Sequence, residues 1–213
     1  MGKIMILNGS PRAPKSNSKR YAGIFTGYWK GQADYFNITR KNHAELCGRM
    51  GGYPDVLLVF PLYADALPVG LLDFLKYLEA NPPAAKPRIS VLINCGFLEY
   101  QQNYLAVRML RLFCERNGYP LGAVLMVGSG EAFLDYPFRF MVRRKIRKLA
   151  RAISDGKYGV FHTTMPLTKR LFVAASTSYW TSYGRKNGIT PAQMRTMEIE
   201  GRLNLNDNEN ENA

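Results

Sequence analysis

The chain has 213 residues, 46% of them hydrophobic and 21% charged, a balance that fits one folded domain, or one with an appendage, and excludes an intrinsically disordered protein. Its formal net charge of +13 admits nucleic acid, an anionic membrane or small anionic ligands as partners without choosing among them. No stretch has the roughly 20 apolar residues of a membrane span; Leu171 to Gly184, among the longest without charge, is rich in Ser and Thr. The opening MGKIMILNGSPR lacks the basic start and small-residue cleavage site of a signal peptide. Cys47, Cys95 and Cys114 make no pairable framework, so reduced thiols and a cytoplasmic location are expected. His43 and His162 are too few and too far apart for a zinc site, and nothing converges on either; both read as surface or loop residues.

Lys3 to Asn8 is an apolar run followed at once by Gly9-Ser-Pro and predicts a buried strand ending in a turn. Ser16-Asn17-Ser18 supplies helix caps, and Tyr21, Ile24, Phe25 and Tyr28 then recur at helical spacing. Ala33 to Ile38 is a weaker strand. Pro54 to Phe60 is a second continuous apolar run, stopped by Pro61, and Pro68 suits the first position of a helix whose stripe is Leu71, Leu72, Leu75 and Leu78. Ile89 to Asn94 predicts a strand ending in Cys95-Gly96. Tyr104 to Arg116 predicts a helix stopped by Gly118, and Ala123 to Val127 a strand ending in Gly128-Ser-Gly130. Phe138 to Ile153 is helical again, with Val142, Ile146, Leu149 and Ile153 along its apolar face. Continuous apolar strands alternating with amphipathic helices argue for a parallel sheet covered on both faces. Five strands and their connections occupy residues 1–156; 157–201 reads as a helical extension packed on that domain, and the acidic, low-complexity 202–213 as a disordered tail.

In an open parallel sheet, ligands bind beyond the carboxyl ends of the strands, and three of those ends are chemically distinctive. After the first strand, Ser10, Ser16 and Ser18 offer hydroxyls, Asn17 an amide and Arg12 a guanidinium, ahead of the free N–H groups of a helix N-terminus. This suits a phosphate held without metal, although a capped turn with no ligand would use the same residues. It is neither a P-loop nor a G-x-G-x-x-G fingerprint. After Phe60, Pro61, Leu62 and Tyr63 can lie against a flat heteroaromatic ring or pack on their own helix. After Ile93 come Asn94, Cys95, Gly96 and Phe97, where Gly96 allows close backbone approach and Phe97 adds an aromatic wall. Cys95 reads as a small core hydrophobe rather than a nucleophile, since neither histidine has a route to it. Tyr63, Glu99 and Glu131 are candidate substrate contacts, with Glu131 read first as a helix cap or a solvated carboxylate.

KIMILNGSPRAPKSNS resembles the opening strand and phosphate loop of the flavodoxin-like NAD(P)H-dependent flavin reductases. FPLYADALPVGLLDFL is similar to that family's third-strand loop and following helix, INCGFLEYQQN to its fourth-strand loop, and TSYGRKNGITPAQMR to the C-terminal segment of a subgroup of NAD(P)H-dependent oxidoreductases. The resemblance implies an α/β flavodoxin-like, doubly wound five-stranded parallel sheet of order 2-1-3-4-5, bound FMN, and hydride supplied by NADPH or NADH for a quinone-like, nitro- or azo-aromatic or flavin acceptor. Carried over by position, Ser10, Arg12, Ser16, Asn17 and Ser18 would hold the FMN phosphate. Pro61, Leu62 and Tyr63 would lie along the isoalloxazine ring, and Asn94, Cys95, Gly96 and Phe97 would line its other edge. Pro11 and Pro14 depart from the pattern and remove two N–H donors from the loop. No catalytic side chain and no metal is implied, because the flavin carries the chemistry. The alternative is a non-catalytic flavin carrier or a cofactor-less relative that binds a partner; electron-carrier flavodoxins are typically acidic and shorter, which favours the enzyme.

Arg139 to Arg151 holds seven basic residues and no acidic one. Such a run is first a solvated face. The sharper readings are an anionic membrane surface or an acidic partner met through Arg143, Arg144, Lys145, Arg147 and Lys148, or attraction of the NADPH 2′-phosphate. Nucleic acid ranks below these because no recognised binding module is present. The basic helix and the apolar and aromatic residues of the extension (Leu171, Phe172, Tyr179, Trp180, Tyr183) could also form a homodimer interface or a lid.

Overall fold

The computed structural model describes residues 2–13 and 15–195. In chain order these form β1 (Ile4–Asn8), α1 (Asn17–Thr26), β2 (Ala33–Asn37), α2 (His43–Met50), β3 (Asp55–Pro61), α3 (Val69–Ala80), β4 (Arg88–Asn94), α4 (Tyr104–Asn117), β5 (Leu121–Val127), α5 (Arg139–Ser154), β6 (Val160–Thr163) and α6 (Lys169–Lys186). They divide into two compact units, one ending at Pro166 and the other beginning at Leu167. Residues 202–213, expected to be a disordered tail, lie outside the described residues.

The first unit is built on a parallel sheet of order β2-β1-β3-β4-β5-β6. Every residue of β1, the five central residues of β3 and the last six of β4 are buried, as strands covered on both faces require. Side chains alternate across the pleat. Met5, Leu7, Val56, Leu58, Phe60, Val91 and Ile93 join the core formed with α2, α3 and α4. The intervening Ile4, Ile6, Leu57, Val59 and Leu92 are equally buried, and α1 and α5 pack against each other and against the sheet through β1, β3, β5 and β6. On α5, Val142, Ile146, Leu149 and Ile153 are buried while Arg143, Arg144, Arg147 and Lys148 are exposed, the division their spacing predicts.

The expected order 2-1-3-4-5 holds, and the sheet carries one strand more. β6 pairs in parallel with β5, from Val124↔Val160 to Val127↔Thr163, inside the stretch read as helical. It is four residues long, too short to display a period of two, and its edge position leaves Val160 exposed. The helical reading does hold for α6. α2 also escaped the sequence reading: it spans eight residues and carries Gly48 in its middle, a residue that weakens a helix on its own terms. Burial of Leu46, Cys47 and Met50 secures it. His43 therefore opens a helix instead of lying on a loop, with its ring 5.6 Å from that of Phe74. His162 lies on β6 with its ring stacked 4.0 Å from Tyr100. Among the described residues no helix is long and apolar enough to cross a membrane, and no cluster of His, Cys, Asp and Glu could hold a metal.

Candidate functional site

Because the chain leaves β1 first for β2 and then returns to β3 on the other side, the carboxyl ends of β1, β3 and β4 stand side by side at the switch in strand order. A cleft of about 710 Å³ opens there, the position where doubly wound sheets bind ligands.

Its polar end is built by the loop after β1 and the start of α1. Asn8, buried at the strand end, orders the loop. Its Oδ1 accepts from the Ser10 N–H at 3.0 Å, and its Nδ2 donates to the Tyr35 hydroxyl at 2.8 Å and to Asn37 Oδ1 at 3.2 Å. Three serine hydroxyls follow, each already used as an acceptor by the protein. Ser10 Oγ accepts from the Arg12 N–H at 3.3 Å, Ser16 Oγ caps α1 by accepting from the Lys19 N–H at 3.2 Å, and Ser18 Oγ accepts from Asn94 Nδ2 at 3.2 Å. An oxygen that accepts in this way keeps its own O–H to donate. The loop therefore turns hydroxyl donors, and the unpaired N–H groups that begin any helix, toward the same space. No acidic residue occupies the first turn of α1, while Lys15, Lys19 and Arg20 border the cleft. The field at this end is positive.

The other walls come from β3 and β4. Leu62 N–H donates to Asn94 O at 2.7 Å, and Asn94 Nδ2 also donates to Phe60 O at 3.1 Å, so Asn94 clamps both loops to α1. Tyr63 and Ala66 exchange two backbone hydrogen bonds at 3.1 and 3.0 Å around a tight turn in which Ala64 and Asp65 take φ of 46° and 56°. That left-handed backbone is disfavoured for residues with a Cβ. The turn leaves Tyr63 51% exposed at the cleft.

Ser10, Arg12, Ser16, Asn17, Ser18, Pro61, Leu62, Tyr63, Asn94 and Gly96 all line this one space. Cys95 and Phe97 do not. Cys95 is only 3% exposed, its sulfur faces Asn103 Nδ2 at 3.3 Å, and burial pushes its thiol pKa up; it is the small core residue its surroundings suggested. Phe97 is half exposed outside the lining. The sequence reading missed Lys15, Lys19 and Arg20, and favoured a bland role for Glu131. Glu131 lines the cleft, with Oε1 3.6 Å from Arg12 Nη1. The absence of acids from SNSKRY and the Gly-Ser-Gly-Glu after β5 were the available signals.

No protein-family model and no curated protein matches the sequence. Solved structures do match the fold. An NAD(P)H:quinone oxidoreductase from Methanothermobacter marburgensis superposes with a TM-score of 0.53 at 14% identity, over 72% of this chain and 97% of that one. A flavodoxin from Streptococcus pneumonia TIGR4 gives 0.53 at 11% identity, over 72% and 99%.

The fold is flavodoxin-like.

An azoreductase from Bacillus anthracis shares it as well, with a TM-score of 0.51 at 14% identity over 73% of this chain and 100% of that one. At these identities the likeness is one of architecture. Flavodoxin-like sheets hold reductases and electron carriers alike, so the chemistry of this one has to be argued from its own cleft.

Proposed function

We propose that the cleft binds FMN and that the protein is an NAD(P)H-dependent flavin oxidoreductase acting on small quinone-like, nitro- or azo-aromatic or flavin acceptors. The observation that carries this reading is the meeting of hydroxyl donors, a helix N-terminus free of acids and an exposed aromatic wall in one cleft. The polar end suits a phosphomonoester: Ser10, Ser16 and Ser18 would donate O–H groups to it, the first N–H groups of α1 would face it, and Arg12 and Lys15 would offset its charge. Tyr63 and Leu62 would lie along a flat ring, and Gly96, where a Cβ would have Glu131 Oε2 at 3.7 Å as its nearest non-adjacent neighbour, would allow close backbone approach at the opposite edge. When bound, FMN supplies reversible two-electron hydride chemistry. This chain's own residues bind and orient it: Asn94 holds the loops of β3 and β4 at one spacing, and the Tyr63 turn presents its ring to the cleft. No side-chain nucleophile or proton relay is called for, consistent with the inward burial of Cys95. NADPH or NADH is the proposed donor.

The test is reconstitution with FMN followed by anaerobic addition of NADPH or NADH. A yellow protein that bleaches, then recovers colour with a quinone, supports the oxidoreductase. A yellow protein inert to both nicotinamides indicates a carrier, and a colourless protein that takes up no FMN overturns the reading.

A further inference from the structure

Among its described lining residues the cleft carries four cations, Arg12, Lys15, Lys19 and Arg20, and a single carboxylate, Glu131. That carboxylate is placed by construction. A Cβ on Gly128 would stand 2.6 Å from Leu98 O, and one on Gly130 2.7 Å from Asn94 Cβ, so only glycine lets the chain pass this close to the end of β4 and the loop after it. Ser129 between them takes φ 54°. The buried Tyr21 hydroxyl then donates to Gly130 O at 2.8 Å, and Asn17 Nδ2 to Glu131 O at 3.0 Å; four residues on, Asp135 is paired with Arg20. With its backbone held on α1, Glu131 extends one oxygen toward Gly96 and the other toward Arg12.

We propose that Glu131 is the resident anion of the cleft: it competes with a ligand phosphate for Arg12, and so determines how exchangeably a phosphomonoester is held. The proposal rests on reading the cleft as a phosphomonoester site. A dianionic phosphate that enters must share or break the Arg12–Glu131 pair and sit beside a like charge, which lowers its affinity. A neutral ligand of the same ring shape meets no such penalty, so Glu131 acts on the phosphate end alone. The loop reinforces the effect, since the Ser10 N–H is already committed to Asn8.

Titration of FMN and riboflavin into the wild type, Glu131→Gln, Arg12→Gln and the double variant tests this. Glu131→Gln removes the charge and leaves the backbone carbonyl that Asn17 uses. The expected result is FMN bound about five- to tenfold tighter by Glu131→Gln, with riboflavin within about twofold of wild type. The gain shrinks by at least about half in the Arg12→Gln background. FMN affinity that is unchanged or weaker in Glu131→Gln, or an equal gain for riboflavin, overturns the proposal; weaker binding would mean that Glu131 contacts the ligand favourably. If the wild type binds neither flavin, the FMN reading fails by itself, and inorganic phosphate followed by ³¹P NMR decides the matter. Tighter phosphate binding by Glu131→Gln sustains the resident anion, and no change overturns it.

Discussion

Asn8 and Asn94 show how two uncharged side chains at strand ends organise a cleft full of charge. Each is buried, and each spends its amide on neighbours that carry the cleft-lining groups. The serines they orient are the sensitive positions. Ser10→Asp places a carboxylate where the phosphate is proposed to sit, and is expected to weaken FMN at least about tenfold, or roughly 1.4 kcal/mol, as read by flavin fluorescence; unchanged affinity would remove this loop from the site. Cys95 marks the opposite case. Burial raises its thiol above the ordinary range, so the native protein should react with a thiol reagent there only on unfolding, and Cys95→Ala should keep its FMN affinity. Rapid modification of Cys95 under native conditions, seen by mass spectrometry, would contradict this.

Among the elements, α5 separates its two faces most sharply. Ile146 is fully buried and Arg147 exposed. Ile146→Ala is expected to cost about 2–5 kcal/mol through the cavity it leaves, and Arg147→Ala to stay within about 0.5 kcal/mol, both read from urea unfolding. The α5 pattern was legible because its sixteen residues repeat the apolar spacing several times. β6 and α2 were not, because four residues and a glycine-interrupted eight hold too little periodicity to outweigh their local propensities; pairing with β5 and burial against α3 decide them. β6 also brings a titrating contact. Partial desolvation beside the stacked Tyr100 ring, and next the charge of Lys145, hold the pKa of the otherwise exposed His162 below its usual value. A histidine depressed in the folded state contributes stability that is fully present above its unfolded pKa of about 6.5 and is lost as pH falls through the lower folded value. The urea midpoint should therefore drop between about pH 7.5 and 5.5, and His162→Phe, which keeps a ring to stack on Tyr100, should flatten that slope.

At the scale of the whole molecule, the cleft exists only when three loops that are far apart in the chain are held at one end of the sheet. Ligand binding is then coupled to folding of the entire first unit. FMN at about a hundred times its dissociation constant should stabilise the protein by about 2.7 kcal/mol, measured as a shift in urea midpoint. No shift with FMN at any concentration would argue that the loops do not act as one site. The net charge of +13 strengthens capture of an anionic ligand at low salt, an effect that salt screens.

The order of apolar runs and helical stripes was enough to determine a doubly wound sheet, and turn residues at the strand ends were enough to pick out the loops that line its cleft, because both signals are local and repeat along the chain. Which of those residues face a common space was decided in three dimensions. The direction of a side chain just beyond a strand depends on what packs beneath it: Asn103 turns Cys95 inward, and the close passage of Gly128 and Gly130 under the neighbouring loop swings Glu131 into the cleft. Neither contact lies within reach of any periodicity: Asn103 meets Cys95 across one irregular connection, and Gly128 and Gly130 meet the end of β4 and its loop only after the strands have paired.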